Sequence, residues 1–154
     1  MSNALIEQMP VFQARYTHGV DEKRRVQIPA KWRPKSEGVE FALVLWPHQD
    51  KPDACLLVLP PKAFADFVQK ITAMPFADPK AEALRRILGE KSDTVTLDKA
   101  GRICVPEWMA TAVGIKGEAV LNGMFDRFQI WSPERYEATR QATEVLAPDA
   151  FRQF

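Results

Sequence analysis

A segment near the amino terminus is written again, in altered form, 77 residues further on. Val20-Asp-Glu-Lys-Arg-Arg-Val-Gln-Ile-Pro29 registers on Leu97-Asp-Lys-Ala-Gly-Arg-Ile-Cys-Val-Pro106. Asp21 falls on Asp98, Arg25 on Arg102 and Pro29 on Pro106, and the apolar residues Val20, Val26 and Ile28 fall on Leu97, Ile103 and Val105. The register continues: Phe41-Ala-Leu-Val-Leu45 meets Glu118-Ala-Val-Leu-Asn122. After a gap of four residues, Cys55-Leu-Leu-Val-Leu-Pro60 meets Phe128-Gln-Ile-Trp-Ser-Pro133. A chain built this way must fold as a duplicated unit, because each copy carries the same sequence of apolar faces to bury.

Each copy reads as strand, hairpin, strand, short turn of helix, strand, strand, helix. The expected class is therefore α+β and β-rich, with two tandem ββαββα-like repeats. In both copies a proline, Pro60 or Pro133, opens the last helix, where the missing N–H costs nothing. From Pro61, the residues Phe64, Phe67, Val68, Ile71 and Met74 recur at helical spacing, and Pro75 ends the run. A further helix is expected from Asp78-Pro79, an N-cap followed by proline, through Leu84, Ile87 and Leu88 to Gly89. It belongs to neither copy and links them. The last helix begins at Ser132-Pro133-Glu134 with a weaker face around Tyr136. This divides the chain into a first repeat at 12–74, a helical linker at 75–94, a second repeat at 95–147 and a tail at 148–154.

The second hairpin is readable residue by residue. Lys99-Ala100-Gly101 fits a three-residue loop with Gly101 in the left-handed position. Asp98 and Arg102 then face each other across the two strands. Alternation puts Ile103 and Val105 on one face, Arg102 and Cys104 on the other. In the first copy Arg24 stands where the glycine belongs. Either that loop adopts another turn, or it bears a left-handed strain of about 1–2 kcal/mol. The two arginines admit two readings: a structural cross-strand ion pair, or a phosphate or base contact of the kind arginine makes in the major groove.

The bulk numbers bound the function. With 154 residues, 46% hydrophobic and 27% charged, the chain has a globular profile. Formal net charge is +1, yet between Arg15 and Lys35 seven basic residues stand against two acids. Such a run is a solvated face or a polyanion-binding patch. No apolar run approaches the ~20 residues of a membrane span. The start, Met1-Ser-Asn-Ala-Leu-Ile-Glu7, lacks a basic region and a long apolar stretch, so no secretory signal is expected.

Signs of catalysis are missing. His18 and His48, the only histidines, have no metal-ligand spacing, and no P-loop, G-x-S-x-G or G-x-G-x-x-G occurs. Cys55 and Cys104 fall in strands and read as small buried hydrophobes. A non-enzymatic protein without metal, cofactor or small-molecule ligand is expected, in a reducing cytoplasm.

The tandem D-x-x-x-R motifs, each followed by an apolar strand and proline, resemble the MraZ family. Leu97–Ile115 carries the likeness best, supported by Ala119–Gly123 and Phe128–Tyr136. His18–Asp21 and Ile28–Arg33 continue it in the first half. The likeness runs from about Phe12 to about Leu146. It implies a pseudo-two-fold swapped-hairpin β-barrel of the AbrB and MazE kind, both halves drawn from one chain. It also implies a cytoplasmic, nucleoid-associated transcriptional regulator that binds double-stranded DNA. The binding would be at repeated sites upstream of a division and cell-wall gene cluster. Assembly into a homo-oligomeric ring is implied too, an octamer being one candidate size. Arg25 and Arg102 would be the DNA-contact residues, Lys23, Arg24 and Lys99 their neighbours in the loops, and Asp21, Asp98 and Gly101 the structural part of the motif. The family usually has Lys-Gly before the first arginine, and here Lys23-Arg24 keeps the lysine alone. The alternative is an antitoxin-like or protein-binding module of the same superfamily without DNA activity. Antitoxins of that kind append a long charged segment, and only about twenty residues follow Pro133 here.

Overall fold

The computed structural model describes residues 9–154, so the segment read above for a secretory signal lies outside the described residues. The first copy supplies β1 (Arg15–Gly19), β2 (Arg25–Gln27), a 3-10 turn (Ala30–Trp32), β3 (Glu40–His48), β4 (Lys51–Leu59) and α1 (Pro61–Thr72). After α2 (Pro79–Glu90), the second copy supplies β5 (Ser92–Thr96), β6 (Arg102–Cys104), α3 (Glu107–Val113), β7 (Glu118–Gly123), β8 (Phe128–Trp131) and α4 (Pro133–Arg152). Element for element the copies match, the 3-10 turn standing where the second copy has α3.

The copies interleave. One antiparallel sheet has the order β1-β7-β8-β4-β3-β5, and a separate two-stranded ribbon joins β2 to β6. The first strand of each copy thus pairs with the third strand of the other, β1 with β7 and β5 with β3, while β4 meets β8 at the centre. The ladders do not close into the barrel expected above. They leave an open sheet and a ribbon, because β2 and β6 are three residues long and meet the edge strands only at the hairpin mouths. The contacts there include the Val20–Val26 bridge and the Asp21 N–H to Arg25 carbonyl bond of 3.4 Å in the first copy, and the Asp98 N–H to Arg102 carbonyl bond of 2.9 Å in the second.

Alternation along the ribbon drives the packing. Val26, Ile28, Ile103 and Val105 are fully buried against Phe41, Leu43, Leu56, Val58, Leu121 and Ile130 from the sheet, with Met109 and Val113 of α3 in the same core. Trp32 packs edge-on to Phe12, ring centroids 5.6 Å apart, and lies 4.9 Å from Phe128, so the aromatic centre joins both copies. Gly123 permits the approach of the chain at Phe12: a Cβ there would sit 2.5 Å from the Phe12 carbonyl oxygen. On the other sheet face, α1 lays Ala63, Phe64, Phe67 and Ile71 over Val44, Leu57 and Leu59.

The helices keep to their sequence signals with one departure. Asp78 caps α2 by accepting from the Lys80 N–H, and Ser132 caps α4 by accepting from the Arg135 N–H. The departure is at the carboxyl end. Residues 148–154, read as a tail, carry α4 on to Arg152 with Pro148 inside the helix, and none of its residues is buried. No helix among the described residues is long and apolar enough to cross a membrane.

Candidate nucleic-acid interface

Both D-x-x-x-R segments form the same turn. Asp21 Oδ1 accepts the backbone N–H of Lys23 at 3.0 Å and of Arg25 at 2.9 Å. Asp98 Oδ1 likewise accepts from Ala100 and Arg102, both at 2.9 Å. The N–H of Arg24 closes on the Asp21 carbonyl at 2.9 Å, and that of Gly101 on the Asp98 carbonyl at 3.0 Å. The aspartate is thus the organiser of the turn: its short carboxylate satisfies two loop donors that no strand reaches.

Arg24 and Gly101 occupy the left-handed position, with φ of +61° and +80°. Of the two possibilities left open for the first loop, the chain takes the strained one and keeps the turn. Gly101 sits where the second copy was expected to need it.

Each turn aims its arginine across its own mouth. Arg25 Nε meets Asp21 Oδ2 at 2.6 Å and Arg102 Nε meets Asp98 Oδ2 at 3.3 Å, so the cross-strand acid–guanidinium pairs form as alternation implied. The copies also touch here, with Arg102 Nη1 4.0 Å from Asp21 Oδ2. In the ribbon register Arg25 lies opposite Cys104 and Gln27 opposite Arg102. These four side chains share the face turned from the core, while Val26 and Ile103 point inward. Both guanidinium side chains are about a third exposed, 34% for Arg25 and 32% for Arg102.

The acids are held as carboxylates. The Arg25 N–H lowers the Asp21 carboxyl below its usual range; burial opposes this, and the Arg25 guanidinium and the Lys23 N–H add to the lowering. Asp98 is lowered in the same way, first by the Arg102 N–H. Lys23 and Lys99 are exposed in the loops. Arg24 is half-buried, its Nε donating to the Val105 carbonyl at 3.0 Å.

Two residues of this face escaped the sequence reading. Gln27 Nε2 donates to the carbonyls of Ala100 at 3.0 Å and Gly101 at 3.2 Å, and Arg33 Nε donates to the Ile28 carbonyl at 2.8 Å. Alternation from Arg25 could have found Gln27, whereas nothing local marks Arg33. The cysteines divide. Burial pushes the Cys55 thiol up to about 12, in keeping with an inert core residue. Cys104, expected to be buried, is exposed on the arginine face, because it lies two residues from Arg102 on a strand of period two. Among the described residues no group of three or more His, Cys, Asp or Glu is placed to hold a metal ion.

Comparison with known proteins gives a consistent pattern. The family model described as "MraZ protein, putative antitoxin-like" matches residues 11–87 and again 90–150. Among similar proteins, one from Thermomicrobium roseum is 29% identical over 140 residues, covering 90% of this chain and 93% of the relative. One from Herpetosiphon aurantiacus is 35% identical over 138 residues, covering 90% and 92%. One from Burkholderia cenocepacia is 34% identical over 146 residues, covering 94% and 99%. All three carry the name transcriptional regulator MraZ. Two family matches in tandem, each enclosing one D-x-x-x-R turn, mean that this chain belongs to the MraZ family.

Proposed function

We propose that this protein is a sequence-specific, DNA-binding transcriptional regulator whose reading element is the β2–β6 ribbon. The observation that carries the reading is the placement of Arg25 and Arg102 on one outward face of a two-stranded ribbon. An element of that width enters the major groove, where a guanidinium donates to the O6 and N7 of guanine. Phosphate contacts would come from Lys23 and Lys99, which fix register without carrying sequence information. The name borne by the relatives supports a regulatory role, and catalysis, cofactors, small-molecule ligands and membranes have no part in this reading.

The finer points follow from the family likeness. The crossed pairing of β1 with β7 and β3 with β5 supports kinship with swapped-hairpin barrels of the AbrB and MazE kind. On this reading residues 12–74 and 95–147 are two copies joined by a helical linker at 75–94, and their strands cross between copies without closing a barrel. A single protomer, near neutral in net charge, binds DNA weakly. A homo-oligomeric ring displaying several ribbons lets a repeated site engage two or more of them, which raises avidity without new contacts. The repeated sites would lie upstream of a division and cell-wall gene cluster, and the protein would reside on the nucleoid in the cytoplasm.

The test is a mobility shift with duplex DNA from upstream of the protein's own gene. Binding should weaken steeply with salt, as counterion release demands. Arg25→Ala and Arg102→Ala should each cost about 1–3 kcal/mol of discrimination between sites and leave the oligomer intact. Unchanged affinity in both variants would reject the ribbon as the reading element.

A second reading, an antitoxin-like or protein-binding module, draws on one observation. The outer half of α4 and the residues just beyond it leave Val145, Leu146, Phe151 and Phe154 exposed at 66% or more, a surface that a protein partner could cover. A stoichiometric protein partner in a pull-down, with no DNA retained, would favour it.

A further inference from the structure

The two turns are tied to the ribbon by matching bonds, with one exception. The Val105 N–H donates to the Arg24 carbonyl at 2.9 Å, as the Ile28 N–H donates to the Gly101 carbonyl at 2.8 Å. Cys104 Sγ lies 3.1 Å from the Lys23 carbonyl, as Gln27 Nε2 lies 3.0 Å from the Ala100 carbonyl. In sequence register these pairs are equivalent: 105 with 28, 24 with 101, 104 with 27, 23 with 100. A third carbonyl pair, Val105 and Ile28, accepts a guanidinium Nε–H in each copy.

There the equivalence breaks. Val105 takes its bond from Arg24, a residue of the turn itself, whereas Ile28 takes it from Arg33. The counterpart of Arg33 in the second copy is Ala110, 3% exposed and with no side-chain donor. Arg33 in turn fits only because Gly101 has no side chain. A Cβ there would fall 2.6 Å from Arg33 Cζ and 2.9 Å from Cδ. One turn therefore has a glycine and leaves room beside it for the Arg33 guanidinium that serves the Ile28 carbonyl. The other lacks the neighbouring arginine and supplies the guanidinium from the glycine's own place, at the expense of a left-handed Arg24.

We propose that Arg24 and Arg33 are positioning residues and that Arg24 is not a phosphate ligand: Arg24 clamps the first turn to the Val105 strand end of the second copy, and Arg33 holds the Ile28 strand end of its own copy while packing against the second turn at Gly101. Val105 and Ile28 are fully buried, so a carbonyl left without its donor there is costly. That cost explains why the strain at Arg24 is tolerated. The clamps hold the two turns in mutual register and with them the spacing of Arg25 and Arg102. This role rests on the ribbon being the DNA-reading element.

The test uses the full chain with Arg24→Gly and, separately, Arg33→Ala, an exposed position less able to disturb folding. Amide hydrogen exchange on the free protein should quicken at Val105 in the first variant and at Ile28 in the second. DNA affinity should fall about tenfold in each, the scale of one lost hydrogen bond to a charged group. The slope of log affinity against log salt should stay as in the unaltered protein. A slope reduced by about 0.9 in Arg24→Gly, with exchange unchanged, would make Arg24 a phosphate contact and overturn the proposal. Unchanged exchange and unchanged affinity in both variants would overturn it as well. If the unaltered protein binds no DNA, the ribbon reading fails, and the exchange experiment alone still decides whether the clamps exist.

Discussion

At the scale of single residues the motif divides its labour: the aspartate builds the turn and the arginine is left at its mouth. Asp21 and Asp98 each accept two loop N–H groups and one guanidinium bond, all of which favour the carboxylate. Their carboxyls therefore titrate below the ordinary 3.8 in the folded chain. A lowered folded value means that the stabilisation is fully present above the ordinary value and is lost as pH falls through the lowered one. The urea midpoint should drop on the acid side of that range, and the drop should shrink in the double variant Asp21→Asn/Asp98→Asn, whose side chains no longer titrate. An acid limb of equal size in the variant would refute the assignment. Most of this was legible in the residues. The Asp–Arg pairing, the glycine at 101 and the inward turn of Ile103 and Val105 follow from loop length and period-two alternation. The conformation of Arg24 was not, because its deciding partner, the Val105 carbonyl, lies 81 residues away in sequence.

At the scale of elements, the caps and prolines marked where helices begin better than where they end. Ser132, buried and accepting from the Arg135 N–H, starts α4. Ser132→Ala should lower stability by about 1 kcal/mol, read as a shift in the urea midpoint. The far end of α4 defied its proline. Pro148 lacks the N–H that would bond the Glu144 carbonyl, yet the helix passes through it, with ion pairs from Arg140 to Glu137 and Glu144 upstream and Arg152 to Asp149 beyond. Pro148→Ala should therefore raise helix content, seen as stronger far-ultraviolet circular dichroism, with no loss of stability. A fall in helicity would mean that the proline is needed to hold the segment.

At the scale of the whole molecule the decisive fact is that neither copy can complete its own sheet. β1 needs β7, β5 needs β3, and β2 needs β6. A fragment of residues 12–74 should be unfolded as a monomer or should pair with itself, measured by circular dichroism and sedimentation. A monomeric fragment with full strand content would contradict the interleaving. The shared core makes the same point energetically. Ile103→Ala in the fully buried ribbon should cost about 2–5 kcal/mol and weaken both turns together, since the cavity opens beneath both copies.

The order of elements, the equivalence of the copies, the two acid-organised turns and the inward face of each strand were determined by the sequence itself. These depend on local periodicity, on loop length and on which residues accept a left-handed backbone. Which strand pairs with which, the open sheet in place of a closed barrel and the exchange of guanidinium donors between Arg24 and Arg33 were decided only by the tertiary structure. Each of those depends on groups brought together from opposite copies, where one unpaired carbonyl or one missing Cβ changes which side chain can fit.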